Sequence, residues 1–418
     1  MPFHPGLYAL VSISLSLAVL VVLLRRRIAI GRAMILSSLT LAWLMGATPL
    51  KIWETLALEW TAKKSGETTL YLFVSLTSLV ILVNVLGAAM QEAGISARLA
   101  PALQGLFRSR RAALAIIPFL MGMLPTPGGI MLSAPMVRDL GDSVGVSRPR
   151  QAAINYWFRH QLEPTWPLFP AVPLVQAMFS VSPGRLLAHN IFLTVAGLAA
   201  GVLALLTQGM PARRDGGENA GRGLKENLKS LAQAIWPIAL AAGLYIAFHV
   251  PPAAGIFAGA LMILIFHRVP AGRWWTLVRR SVELDFALLI GGALLFKLNL
   301  EAADAVPQIA DYLRSSGLPP AALAFTLPFL VAFVTGVTMP TVAMTFPLLK
   351  VFIGEGEGAD MGIETLAFAG VLCGLHLTPV HLCISLSASY FGAPLQRILF
   401  FLLIPVAVVA ATGLIMAL

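Results

Sequence analysis

The sequence predicts an all-α polytopic membrane protein of two inverted-topology repeats, with ten transmembrane helices and two re-entrant hairpins. Three observations carry this. Apolar segments of helical length recur from end to end, basic residues collect on one side of them, and landmarks of the first half return in the second. Of 418 residues, 58% are apolar and only 11% charged, and mean hydropathy is +0.84. A soluble chain carries roughly a quarter charged residues, which argues against a cytosolic globular enzyme. The net charge of +10 would suit nucleic acid only if the basic residues clustered on a soluble face. Here they punctuate apolar segments, so the expected partner is a lipid bilayer and not nucleic acid. Cys373 and Cys383 share one apolar stretch and offer neither a disulfide framework nor a zinc spacing.

Crossing the hydrocarbon core takes roughly 20 residues as a helix. Stretches that meet this lie near 6–24, 30–50, 68–90, 151–180, 186–208, 231–249, 252–267, 284–300, 365–391 and 396–417. No Lys or Arg precedes the first, whereas Arg25, Arg26 and Arg27 follow it. That is the reverse of a signal peptide, so a retained span entering from outside is expected. Two further stretches, 112–137 and 320–350, are broken in the middle by Pro and Gly and are expected to turn back at mid-depth.

The positive-inside rule supports this layout. Segments assigned inside hold Arg25–Arg27, Arg32, Arg98, Arg108, Arg110, Arg111, Arg138, Arg148 and Arg150 in the first half. Arg213, Arg214, Arg222, Lys225, Lys229, Arg268, Arg273, Arg279, Arg280 and Arg397 continue the series. Segments assigned outside hold only Lys51, Lys63, Lys64, Arg185, Arg314 and Lys350. Making either hairpin a full crossing would invert everything after it. The expected location is therefore the cell (inner) membrane, with both termini extracytoplasmic.

At a common offset, Asn84 matches Asn299, Pro125-Thr126 matches Pro340-Thr341, and Pro164 matches Pro379, with His160 and His376 nearby. Residues 1–208 thus form the first repeat, 209–230 a polar cytoplasmic linker, and 231–418 the second repeat. Each repeat reads as three spans, a hairpin, an interrupted span and a last span. An odd number of crossings inverts one half against the other, an architecture of secondary transporters.

Non-helical backbone survives at membrane depth only where protein or a watery cavity satisfies it. The first break contains Pro125, Thr126, Pro127, Gly128 and Gly129, followed by Ser133. The second runs from Thr335 through Thr338, Pro340 and Thr341 to Thr345. A half-helix N-terminus at such a tip attracts an anion or polar ligand, and the hydroxyls are candidate ligands. The first interrupted span puts Arg159, His160 and Glu163 within one turn, ahead of Pro164 and Thr165. A charge at the bilayer centre costs about 2.5–3.5 kcal/mol on insertion scales. Arg159 and Glu163, four apart, either pair with each other or act separately. In the second case Arg159 meets an anionic solute and Glu163 binds a proton or cation.

The counterpart carries His376, Thr378, His381 and Ser385 and no carboxylate. Five-residue spacing across a proline is weak for a metal, so hydrogen bonding to solute or backbone is expected of the histidines. Asn84 and Asn299 either join helices or coordinate an ion or solute. Lys297 is expected to snorkel to the outer surface. No zinc-protease, serine-elbow or phosphate-loop signature is present, so no enzymatic role is expected. No cofactor is expected beyond a coupling Na+ or H+.

The tandem Pro-Thr tips and Pro-broken spans resemble the ion transporter superfamily, which includes gluconate, citrate, dicarboxylate and arsenite permeases. Within it, the string Met-Leu-Pro-Thr-Pro-Gly-Gly-Ile-Met-Leu-Ser-Ala-Pro at 123–135 is most similar to an uncharacterised bacterial and archaeal integral-membrane family of unknown function. The resemblance spans residues 6–417. It implies a dimerising scaffold and a transport domain of hairpins and broken spans that slides as an elevator. Carboxylate carriers of the superfamily have Ser-Asn-Thr at their tips, so Thr126 and Thr341 carry over and the Asn does not. The function expected is secondary active transport of a small anionic solute, coupled to Na+ or H+. A channel, which needs a continuous pore, is the rival.

Overall fold

In lipid a backbone N–H or C=O must be satisfied inside its own segment, and the apolar runs answer by forming helices. A computed structural model describes residues 4–95, 102, 106, 109–123, 130–207, 223–315, 317 and 319–418, and the described residues contain helices and no strand. The first half comprises α1 (Pro5–Arg25), α2 (Ile30–Met45), α3 (Pro49–Ala62), α4 (Thr69–Glu92), α5 (Arg110–Gly122), α6 (Ile130–Ser143), α7 (Arg148–Arg159), α8 (Ala171–Phe179) and α9 (Pro183–Gly201). The second comprises α10 (Leu224–Phe248), α11 (Pro252–Phe266), α12 (Ala271–Ser281), α13 (Leu284–Ala302), α14 (Ala305–Ser315), α15 (Pro320–Thr335), α16 (Thr338–Ile353), α17 (Met361–Leu377), α18 (Leu382–Phe391) and α19 (Leu395–Met416). Proline in the first turn of α1, α3, α7, α9, α11 and α15 uses a position where the missing N–H has no intrahelical partner anyway.

This is a multi-pass membrane protein. Among the described residues six helices are long and apolar enough to cross a membrane, or up to eight if each bent pair is one span. The two other expected crossings fall short of that measure. At 15 residues, α11 is only about 22 Å long, and the stretch 151–180 is cut between α7 and α8. Phe248, Phe266 and Phe400 are exposed by 73%, 67% and 71%, as residues facing lipid tails would be. The amphipathic helices α3 and α12 were not expected. The chain bends by 102° between α2 and α3, so α3 cannot continue the span. Before its apolar stretch, α10 begins at Leu224, inside the segment read as linker.

Both hairpins are pairs of short helices packed on each other, α5 with α6 and α15 with α16. None is long enough to span the core. Packing partners exchange between the halves. While α2 lies on α13, α11 lies on α4, and α6 and α16 pack on α18 and α8 respectively.

The reading of Lys297 is corrected. Its side chain is 6% exposed, and its ammonium donates to Glu59 at 3.1 Å, Glu301 at 3.1 Å and the Thr69 hydroxyl at 3.2 Å. Glu59 also bonds Lys63 at 2.7 Å and the Thr69 N–H at 2.7 Å. A carboxylate delivered by an amphipathic helix is a better partner than distant headgroup water. Removing Lys297 takes one of two cations from the buried Glu59 and leaves it Lys63 alone, and breaking a buried charge network is strongly destabilising. Lys297→Met should therefore lower stability by about 3 kcal/mol, read as thermal unfolding in detergent, and adding Glu59→Gln should recover part of the loss.

Candidate functional site

The last four carbonyls of a helix have no intrahelical partner, and the first arm of each hairpin ends inside the protein. In the first half, Arg159 Nη1 donates to Met121 O at 2.7 Å and Trp166 Nε1 to Met123 O at 2.9 Å. In the second, Thr378 Oγ1 donates to Phe333 O at 2.5 Å, and His381 Nδ1 lies 2.6 Å from Gly336 O. Each hairpin is thus capped by side chains of the broken span in its own half. Gly336 turns the second tip at φ +66, where an added Cβ would meet His381 N at 2.9 Å.

The two broken spans meet each other. His160 Nε2 lies 3.1 Å from His381 Nε2, while His160 Nδ1 lies 2.7 Å from Tyr156 O. Tyr156 is fully buried; its hydroxyl donates to Leu375 O at 2.9 Å, and its ring centroid lies 4.6, 5.6 and 5.5 Å from those of His160, His376 and His381. Glu163 accepts a short hydrogen bond from the Thr338 hydroxyl, and its carboxylate lies 3.9 Å from His160 Nε2. The Cys383 sulfur lies within 4.8 Å of a ring nitrogen of each of His160 and His381.

Arg159, His160, Glu163, Thr338, His381 and Cys383 line a cavity of about 990 Å³. One wall is apolar, from Val21 and Leu24 of α1, Val80 of α4, and Phe286, Leu289 and Ile290 of α13. The other carries Arg159, His160, Glu163, Thr338, His381, Cys383 and Ser385. Arg25 and Arg27 also border it. The chemistry available is one guanidinium, one carboxylate, two imidazoles, a thiol and hydroxyls against an apolar face.

Other expected site residues do not line this cavity and have protein partners. Ser133 bonds Asn155 at 2.6 Å, and Thr165 meets Thr194 at 3.0 Å. Thr341 bonds Val337 O at 2.8 Å and the Thr335 hydroxyl at 3.1 Å, and Thr345 bonds Thr341 O at 2.7 Å. Pro340 is buried within α16. Asn299 donates to Ser38 O at 2.7 Å and Asn84 to Ser281 O at 3.5 Å, which joins helices. His376 is buried against Tyr156 and Trp157. Pro125, Thr126, Gly128 and Gly129 lie outside the described residues.

Tyr156, Trp166 and Cys383 were missed as site residues. Cys383 carried a signal, two positions after His381 at the start of a helix. The left-handed conformation is costly for a residue with a Cβ, by about 1–2 kcal/mol. Gly336→Ala should lose at least that much in thermal unfolding and should weaken any ligand that binds beside His381.

A solved structure, that of the YdaH transporter from Alcanivorax borkumensis, which has an unusual topology, aligns with a TM-score of 0.62 at 15% identity. The alignment covers 93% of this chain and 96% of that one, and the likeness is one of fold. No curated protein matches the chain. The family described as a protein of unknown function (DUF401) matches residues 8–418, and the chain belongs to that family.

Proposed function

We propose that this protein is a secondary active transporter of a small anionic solute, a carboxylate or oxyanion, that uses alternating access and a Na+ or H+ gradient. The observation that carries the reading is the cavity of about 990 Å³, where both broken spans and the second hairpin tip converge on Arg159. A buried guanidinium at membrane depth attracts an anion strongly, because little water screens it there. Arg25 and Arg27 border the same cavity. By the positive-inside rule they put this side of the cavity toward the cytoplasm, which supports reading it as the inward-facing state.

The seam of the cavity supports a division of labour. Scaffold helices α1, α4 and α13 present mainly apolar side chains, and the second hairpin and the broken spans present polar groups among apolar ones such as Phe333 and Val380. An apolar wall is a surface against which a polar carrier can slide without breaking hydrogen bonds. The exchanged packing of α2 on α13 and α11 on α4 supports the inverted-repeat reading. In this view the chain belongs to the ion transporter superfamily, works as a homodimer in the inner membrane, and has both termini outside.

Glu163 is the candidate proton carrier, since it lines the cavity and faces His160 and the Thr338 hydroxyl. Purified protein should be screened by thermal shift against small carboxylates and oxyanions, with and without Na+. A ligand present at a hundred times its Kd adds about 2.7 kcal/mol, so a binder gives a clear rise. Arg159→Gln should abolish that rise; a panel in which no anion shifts the wild type counts against the anion reading. For coupling, transport by a proton-driven carrier should lose its pH dependence in Glu163→Gln. An unchanged pH profile removes Glu163 from that role.

A further inference from the structure

Two carbonyl oxygens dictate the tautomers at the junction of the broken spans. Tyr156 O lies 2.7 Å from His160 Nδ1, and Gly336 O lies 2.6 Å from His381 Nδ1. A carbonyl only accepts, so both Nδ1 atoms carry the hydrogen. Both Nε2 atoms then present lone pairs, and they face each other at 3.1 Å. Two lone pairs at that distance repel unless a positive centre lies between them.

We propose that His160 Nε2, His381 Nε2 and Cys383 Sγ form a binding site for a transition-metal ion of the zinc class. The three ligand atoms lie within 4.8 Å of one another. Two nitrogens bound to tetrahedral zinc at about 2.0–2.1 Å stand about 3.3 Å apart, close to the separation found. Histidines that ligate metal almost always donate their other ring N–H to a carbonyl or carboxylate, and both do so here. A set of two imidazoles and a thiol suits zinc, cobalt or cuprous ions and not Na+ or Mg2+. A proton between the rings would relieve the same contact, but it does not account for the convergence of a thiol on both nitrogens.

The electrostatics are mixed and close to balanced. Arg159 opposes a cation at this point, while the Glu163 carboxylate, 3.9 Å from His160 Nε2, and the Cys383 thiolate offset it. All three ligands line the cavity, so the fourth position of the metal opens into it and takes water or a solute oxygen. His160 comes from the first half and His381 and Cys383 from the second, so the ion ties the two broken spans together.

The test is a titration of chelator-treated, full-length protein with Co2+, followed by visible absorption, and then competition with Zn2+. One Co2+ per chain, an intense tetrahedral spectrum, a thiolate-to-cobalt charge-transfer band and displacement by Zn2+ are expected. Cys383→Ser should remove the charge-transfer band, and Cys373→Ser should keep it. His381→Gln should weaken binding at least tenfold. An absent or weak octahedral spectrum in the wild type overturns the site and leaves a shared proton between the rings. A charge-transfer band that survives Cys383→Ser, or an affinity unchanged in His381→Gln, overturns it as well. The titration reads binding without transport, so its failure leaves the anion-carrier reading standing, and the reverse also holds.

Discussion

A helix that stops inside a membrane leaves carbonyls with nothing to accept from, and the rest of this structure follows from how they are satisfied. Hydrocarbon cannot do it, and each unsatisfied group costs several kcal/mol. Here Met121, Met123, Phe333 and Gly336 receive Arg159, Trp166, Thr378 and His381. The donors must sit at the same depth as the carbonyls, so the spans that supply them are broken there too. Hairpin and broken span are one polar unit in each half.

The two units then need each other. Where α7 and α17 end, polar groups meet across the junction, His160 with His381 and Thr338 with Glu163. Ser387 of α18 reaches Ala152 O of α7 at 3.1 Å in the same way. The cavity lies beside this junction because helices broken at one level cannot fill the space between them and the apolar scaffold. Function, on this reading, uses the polar groups that membrane folding already requires to be gathered in one place.

Much of this was legible from residue order. The long spans α1, α4, α9 and α19 fall where the apolar runs are, and α15 gives way to α16 where Gly336 interrupts theirs. Arg159, His160, Glu163, Thr338, His381 and Ser385 reach one cavity wall. Hydropathy alone could not tell hydroxyls that face a cavity from those that serve a helix. Thr341 and Thr345 look like ligands in the sequence, yet both bond to carbonyls one turn back. Asn84 and Asn299 are matched residues, but their partners are Ser281 and Ser38, set by which helix happens to pack alongside. Lys297 was misread for the same reason, since Glu59 lies far away in the chain and on a helix that the apolar pattern did not announce.

By itself the sequence determined that the chain is a helical membrane protein and where its long apolar spans lie. Those properties depend on the transfer of local segments from water to lipid, and transfer energies add along a chain. Only the tertiary structure decided which side chains share a cavity, that Lys297 is buried in an ion-pair network, and that Cys383 joins two histidines from different halves. Those are contacts between segments distant in sequence. Their energies depend on distance and direction in space, which residue order does not contain.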